Sequence, residues 1–314
     1  QEGAKLAREN RVDMILAVGG GSVMDAGKAI AMMAANSGDL WDYVSGGTGK
    51  GMPIEKKALP LVCITTTAGT GSEADPWGVV TNEETHEKIG VGGYDCLFPV
   101  LSIIDPELMR SVPPAFTAYQ GFDTLFHAAE SYISSFASIM SDMYARTAIE
   151  NVGVYLARAV ADGADMEARE HMAFANTIAG IVMTVSVTTA QHSLEQAMSG
   201  YYPSLPHGAG LIMLSKAFFS FFIEKHACDE RFIQMAKALG MREAESPEDF
   251  IIALSKLQAD CGVSELKMSD YGITPEDFEK IAESARKTMG GLYAANPCEL
   301  TDADCVEILR KSYR

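Results

Sequence analysis

Positive charge is scarce in this chain: 25 lysines and arginines stand against 42 aspartates and glutamates, a formal charge of −17 over 314 residues. No basic face offsets that balance, which argues against a nucleic-acid partner and against an anionic membrane surface. Cysteine pairs are lacking as well. Cys63, Cys96, Cys228, Cys261, Cys298 and Cys305 are scattered with no C-x-x-C spacing, so reduced thiols are expected rather than a disulfide framework. There is no H-E-x-x-H, the helical signature of many zinc hydrolases. The longest apolar runs, residues 173–187 and 211–223, are interrupted by Asn176, Thr177 and Lys216 and read as buried core helices, not as membrane spans. The opening residues do not resemble a secretory signal, and a cytoplasmic protein is expected.

What remains is a chain with 47% hydrophobic residues, enough for about two domains with a sizeable core. Residues 1–10 read as a polar helix running straight into a strand, Met14 to Val18. An α/β domain normally has strands before such a point, so a preceding piece of the protein is expected. Residues 1–112 alternate strand, Gly-rich turn and helix: a helix from Ser22 to Ala35, a flexible Gly-rich loop at 45–51, and a strand from Leu59 to Ile64. A hairpin (78–81 with 88–91) and a strand from Val100 to Ile104 follow. That order predicts a mostly parallel, doubly wound sheet. After Pro113-Pro114 the periodicity is helical almost throughout, broken near Gly163, 200–206, Gly240, Gly262 and 290–291. The division expected is therefore an α/β domain over 1–112 and an all-helical domain over 113–314.

Two turns in the first part carry possible chemistry. Gly19-Gly20-Gly21-Ser22 ends a strand and opens a helix, a place where backbone N–H groups and the helix dipole suit a pyrophosphate. A tight turn with Ser22 as N-cap explains the same residues equally well. Thr65 to Ser72, with Thr66, Thr67 and Thr70 among its hydroxyls, follows a second strand. Ligands in such sheets bind beyond the carboxyl ends of the strands. A Ser/Thr turn is the plainer reading, but two such turns on successive strand ends point to a dinucleotide. Lys88 could add a charge near a ribose or phosphate.

The helical part holds the other constellation. Asp123 and His127 lie at i and i+4 among Phe122, Leu125, Phe126, Ala128 and Ala129, which puts both on one face of an apolar helix. A buried carboxylate without a partner costs several kcal/mol, so this one calls for a cation or strong donors. His192 and His207 add two more imidazoles, the latter in the small-residue turn Pro206-His207-Gly208. Three imidazoles and one carboxylate suit Fe(II) or Zn(II). His86, His171 and His226 have no such setting and read as ordinary surface or core histidines.

Taken together, residues 19–28 (GGGSVMDAGK), 66–73 (TTAGTGSE), 105–108 (DPEL), 121–130 and 192–208 resemble the iron-containing, or group III, alcohol dehydrogenase family. The segment 74–77 (ADPW) is similar to its butanol-dehydrogenase-like branch. The resemblance implies a dehydroquinate-synthase-like fold: a Rossmann-like α/β nucleotide domain, incomplete at its N-terminus, followed by an all-α metal-binding domain. The metal ligands it implies are Asp123, His127, His192 and His207. The cofactor contacts are Gly19, Gly20, Gly21, Ser22, Asp25, Thr66, Thr67, Thr70 and Lys88. The implied activity interconverts small primary alcohols and aldehydes by hydride transfer with NAD(H) or NADP(H), using a divalent Fe or Zn ion as Lewis acid, in a homo-oligomer, with a dimer favoured. With a single carboxylate among the ligands, the centre should carry net positive charge. Gln196 stands where many family members place a histidine near the substrate. A dehydroquinate-synthase-type lyase should show several Lys or Arg around the metal helices, and none flank Asp123 or His192 in sequence. A metal hydrolase would leave both Gly-rich turns unexplained, and a truncated, non-catalytic family member is the remaining alternative.

Overall fold

Short strands rich in β-branched residues build the first part of the protein. The structure, a computed structural model, describes residues 1–93 and 96–314. Helix α1 (Glu2–Glu9) leads into β1 (Ile15–Gly19), α2 (Gly21–Ala35), the short α3 (Leu40–Tyr43) and β2 (Leu61–Thr65). The strands β3 (Trp77–Asn82) and β4 (Glu87–Gly92) pair antiparallel, and β5 (Leu101–Ile104) returns to the first sheet. That sheet is parallel throughout, in the order β1-β2-β5, with Gly19 opposite Thr65 and Thr65 opposite Ile104. The carboxyl ends of all three strands therefore lie at one edge. Helix α2 packs on the face that carries Ala17, Leu61 and Cys63, with Met24 between them. The opposite face bears Leu16, Val18, Leu101 and Ile103, all exposed. Among the described residues the doubly wound expectation thus holds on one face only; parallel sheets are ordinarily covered on both.

Two local expectations change. Helix α2 is capped by Gly20 without a side-chain bond, so Ser22 lies in the first turn and is not the N-cap. The Gly-rich loop at 45–51 is tied down: the Glu87 carboxylate accepts from Thr48 N at 3.0 Å and from Thr85 Oγ1 at 3.0 Å, and Gly47 N donates to Lys287 O.

From Pro114 onward the described residues form helices joined by turns: α4 (Pro114–Ile133), α5 (Ile139–Ala161), α6 (Met166–Val185), α7 (Ala190–Tyr201) and α8 (His207–Glu224). Next come α9 (Asp229–Ala238), α10 (Asp249–Asp260), α11 (Phe278–Met289) and α12 (Asp302–Ser312). Phe219 is the hub of their core, edge-on to Phe218, Phe232 and Phe250 at 5.2–6.2 Å and tilted against Phe126 at 6.0 Å; such edge-to-face contacts add to the burial of the rings themselves. The run 173–187, read as one core helix, instead ends at Val185, and α7 leaves at 108° to α6. No single helix among the described residues is long and apolar enough to cross a membrane. The sharp break places the first turn of α7 against the middle of α4.

Candidate metal centre and nucleotide turns

Asp123 and His127 project from the buried middle of α4, His192 from the first turn of α7, and His207 is the first residue of α8. The last is a helix start and not the turn expected. Small residues around it have a packing reason: a Cβ at Gly208 would lie 2.1 Å from the Tyr119 carbonyl oxygen, so only glycine lets α8 approach α4 this closely.

The four residues converge. Asp123 Oδ1 lies 3.6 Å from His127 Nε2, 3.5 Å from His192 Nε2 and 3.5 Å from His207 Nε2. The donor atoms of Asp123, His127 and His192 all lie within 4.8 Å of one another. These spacings are too long for good hydrogen bonds. They match the edge of about 3.4 Å that a tetrahedron of about 2.1 Å metal–ligand bonds requires. Asp123 Oδ1 and His192 Nε2 are moreover buried with no hydrogen-bond partner, a costly state for a carboxylate oxygen unless a cation completes it. The residues present therefore fit a divalent metal.

Each imidazole is held from behind. His127 Nδ1 meets the Gly69 carbonyl at 3.3 Å; His192 Nδ1 meets Glu130 Oε1, and His207 Nδ1 meets Glu195 Oε2. An acceptor at Nδ1 keeps the proton there and leaves Nε2 as a lone-pair donor facing Asp123. Glu130 has a second task, for its Oε2 accepts from Thr189 N at 2.8 Å and Thr189 Oγ1 at 2.6 Å. It thereby satisfies the start of α7, whose cap residue Thr189 accepts no bond at its side chain from the helix's own N–H groups. Burial pushes the Asp123 carboxyl up, but the imidazoles of His127, His207 and His192 facing it outweigh that and hold it well below the usual carboxylate range. Burial lowers His127 to about 3 despite the neighbouring Asp123, so this ring is neutral at pH 7. Burial also opposes charge on His192, yet Glu130 and Asp123 raise it to about 10. His207 is raised in the same way by Glu195 and Asp123. Without a cation these two rings carry the countercharge to the carboxylates. Glu195 is the reverse case: burial raises it, while His207 and Lys88 more than compensate and lower it.

The expected net positive charge is corrected by these neighbours. Glu130 and Glu195 join Asp123 around the centre, and Lys88 stands near Glu195, so a divalent ion gives a formal sum of 2 − 3 + 1 = 0. Glu130 belongs to the segment 121–130 that carries the family resemblance but has no role assigned there, and the sequence does not single out Glu195 at all. Glu130 had a local signal, its place one turn after His127, whereas nothing local marks Glu195 as facing His207.

The two turns sit side by side at the carboxyl ends of β1 and β2. Thr66 N donates to Gly19 O at 3.0 Å. A Cβ at Gly20 would fall 2.9 Å from Thr67, and one at Gly21 2.3 Å from Thr70, so glycine is what allows the turns to touch. Ser22 is exposed at the N-terminal end of α2. Asp25 faces inward: its oxygens accept from Ser72 Oγ at 2.7 Å and Val79 N at 2.9 Å. Lys28, fully buried, donates to Ser72 Oγ at 2.8 Å and Asp75 Oδ1 at 2.9 Å. Asp25 and Lys28 together brace the turns. Lys88 on β4 reaches across to α7 and donates to Ser199 Oγ at 2.9 Å. Gln196 is buried on α7, with its Oε1 unpartnered. The turn after β2 also touches the metal site, through Gly69 O on His127 and Thr124 Oγ1 donating to the Ala68 and Gly69 carbonyls at 3.4 Å. Of the remaining histidines, His171 stacks on Tyr155 at 3.8 Å, His226 pairs with Asp229 at the surface, and His86 packs against Tyr201.

Comparison with known proteins identifies the family. Residues 1–106 match the family model described as iron-containing alcohol dehydrogenase, and residues 117–313 match the C-terminal model of the Fe-containing alcohol dehydrogenase family. The chain is 36% identical over 291 residues to a choline dehydrogenase of Bacillus subtilis, covering 91% of this chain and 70% of that one. It is 31% identical over 325 residues to an NAD-dependent methanol dehydrogenase of Bacillus methanolicus, covering 99% and 80%. A crystal structure of an archaeal, halo-thermophilic Red Sea brine pool alcohol dehydrogenase superposes with a TM-score of 0.93 at 37% identity, covering 99% of this chain and 80% of that one.

Proposed function

Because the chain belongs to the iron-containing alcohol dehydrogenase family, we propose that Asp123, His127, His192 and His207 hold its divalent metal and that the turns at 19–22 and 66–70 hold its nicotinamide cofactor. The enzyme is an NAD-dependent oxidoreductase that interconverts small alcohols and aldehydes. The observation that carries the site assignment is the convergence of three Nε2 atoms on one unpartnered Asp123 oxygen at 3.5–3.6 Å. When bound, the cation supplies Lewis acidity toward a substrate oxygen, and NAD(H) supplies hydride exchange at its nicotinamide.

The rest falls to the protein. Asp123 contributes the charge, and the imidazoles stay neutral donors because Gly69 O, Glu130 and Glu195 retain their Nδ1 protons. Asp123, His127 and His192 are buried, while the His207 side chain is 26% exposed. The substrate accordingly approaches past His207, and the other three residues form a wall that excludes water. The free N–H groups opening α2 take the pyrophosphate, and Asp25 and Lys28 keep that helix end in register with the second turn. Gly69 O links the two sites, since it orients His127 from within the nucleotide turn. Lys88 on β4 and Gln196 on α7 act near the ribose and the substrate respectively. In this reading residues 1–112 serve the nucleotide and 113–314 the metal. The homodimer belongs to the same proposal, supported by the exposed apolar run Phe136, Ile139, Met140 and Met143 at the start of α5. A cytoplasmic location belongs to it as well.

Asp123→Asn tests the ligand set. It should abolish metal retention and alcohol oxidation while far-ultraviolet circular dichroism stays that of the wild type; retained stoichiometric metal, measured by atomic absorption, would reject the assignment.

A further inference from the structure

The three acceptors behind the imidazoles differ in kind: a backbone carbonyl for His127, and carboxylates for His192 and His207. Glu195 is the one whose presence packing does not explain. It lies on α7, three residues after His192, and is fully buried, yet it serves the histidine that opens a different helix. Only its Oε2 is engaged by His207; Oε1 is buried with no partner. A Cβ at Gly210 would stand 2.7 Å from Glu195 Cγ and 2.9 Å from Oε1, so glycine at 210 makes room for this carboxylate. A buried carboxylate with a bare oxygen is costly, and an apolar residue would fill the same space without that cost. His207, for its part, needs an orienting contact most. Its side chain is 26% exposed, against 7% and 4% for His127 and His192, and it begins a helix whose N-cap, Pro206, makes no side-chain bond.

We propose that Glu195 is a positioning residue of the metal centre: accepting the Nδ1 proton of His207, it fixes that ring with Nε2 toward Asp123 and adds a buried negative charge that tightens the hold on a divalent cation. This rests on the reading of Asp123, His127, His192 and His207 as ligands. It makes the α7–α8 pair a clamp, in which α7 contributes one ligand directly and steadies a second across the helix interface. Carboxylates behind ligating histidines orient the ring and raise its donor strength, and their loss costs about 10–100-fold in metal affinity.

The test uses the full chain, stripped with a chelator and titrated with Co(II) against a competing chelator, with the visible absorption bands reporting coordination geometry. Glu195→Gln keeps the shape and still offers an oxygen to Nδ1 but removes the charge; Glu195→Ala removes both. The dissociation constant for Co(II) should rise about 10-fold for Gln and toward about 100-fold for Ala. The bands should change shape in the Ala variant, while far-ultraviolet circular dichroism shows both metal-free variants folded. His207→Ala serves as the reference for losing a ligand. If both Glu195 variants bind Co(II) within twofold of wild type while His207→Ala does not, the role of Glu195 is overturned and the ligand set stands. If His207→Ala also binds with wild-type affinity, the ligand set itself fails. A Glu195→Ala protein that melts earlier yet binds Co(II) unchanged would mark a packing residue only, and would equally overturn the proposal.

Discussion

Gly71→Ala is the substitution whose cost the structure defines most sharply. Gly71 sits in the turn after β2 at φ +65°, ψ 10°, a left-handed conformation that costs an L side chain about 1–2 kcal/mol. Its added Cβ would fall 2.6 Å from Gly180 Cα and 2.7 Å from Gly180 N. Both are backbone atoms of α6, with no flexible end to move aside. Relief to ordinary contact requires the turn to retreat by about 1 Å from α6, which stretches the 2.9 Å bond from Gly71 N to Asn176 Oδ1 beyond hydrogen-bond range. Losing a buried bond of this kind costs about 1–3 kcal/mol. The total expected is therefore about 2–5 kcal/mol in urea unfolding. The control is Gly240→Ala, where φ is +100° but nothing lies within 4 Å of the new Cβ; it should show the conformational part alone, about 1–2 kcal/mol. Because the same turn carries Thr66, Thr67 and Thr70 and reaches His127 through Gly69 O, Gly71→Ala should also weaken NAD(H) binding, read by quenching of protein fluorescence, while Gly240→Ala should not. Equal destabilisation by the two substitutions, with unchanged nucleotide affinity in both, would refute the idea that this turn is clamped against α6.

Ser22→Asp should separate stability from binding: an acidic residue in the first turn of α2 favours the helix by about 0.3–1 kcal/mol, yet should repel the pyrophosphate and raise the cofactor Kd at least tenfold. An unchanged Kd would place the phosphates elsewhere. Lys28→Met leaves Asp75 buried without its 2.9 Å partner and should destabilise by about 3–5 kcal/mol, with much of the loss recovered in the double variant Lys28→Met/Asp75→Leu. No recovery would mean that the pair is not an isolated unit. Burial raises the thiols of Cys63 and Cys305 to about 11 and those of Cys228 and Cys261 to about 12. A thiol pKa raised by folding favours the native state fully below the unfolded value near 9, and that contribution disappears as pH climbs through 11–12. Unfolding free energy should thus fall above pH 9, and iodoacetamide should label the buried Cys63, Cys261 and Cys305 of native protein slowly at pH 8; rapid labelling of these three cysteines would contradict their burial.

Local chemistry was legible in the sequence wherever it depends on neighbours along the chain. The i, i+4 pair Asp123–His127 on an apolar helix, the Gly-rich turns after β1 and β2, and helical periodicity after Pro113 are all short-range patterns, and the strands and the helix expected between residues 14 and 104 form within two residues of their expected places. The family resemblance added His192 and His207, which spacing alone could only nominate. Tertiary structure decided the rest. The break between α6 and α7 carries no proline or glycine, and its new helix start is satisfied by Glu130, 59 residues away in the chain. The backing of His207 by Glu195 depends on two helices packing through Gly210. Gly69 lies 58 residues from the histidine it orients, and Gly71 becomes indispensable only once α6 lies against it. Residue types and their periodicity determine which backbone each segment adopts, since those preferences act within a turn or a strand. Which buried carboxylate meets which imidazole is settled only when distant segments lose water together, because the energy of an enclosed charge depends on whatever the whole fold brings beside it.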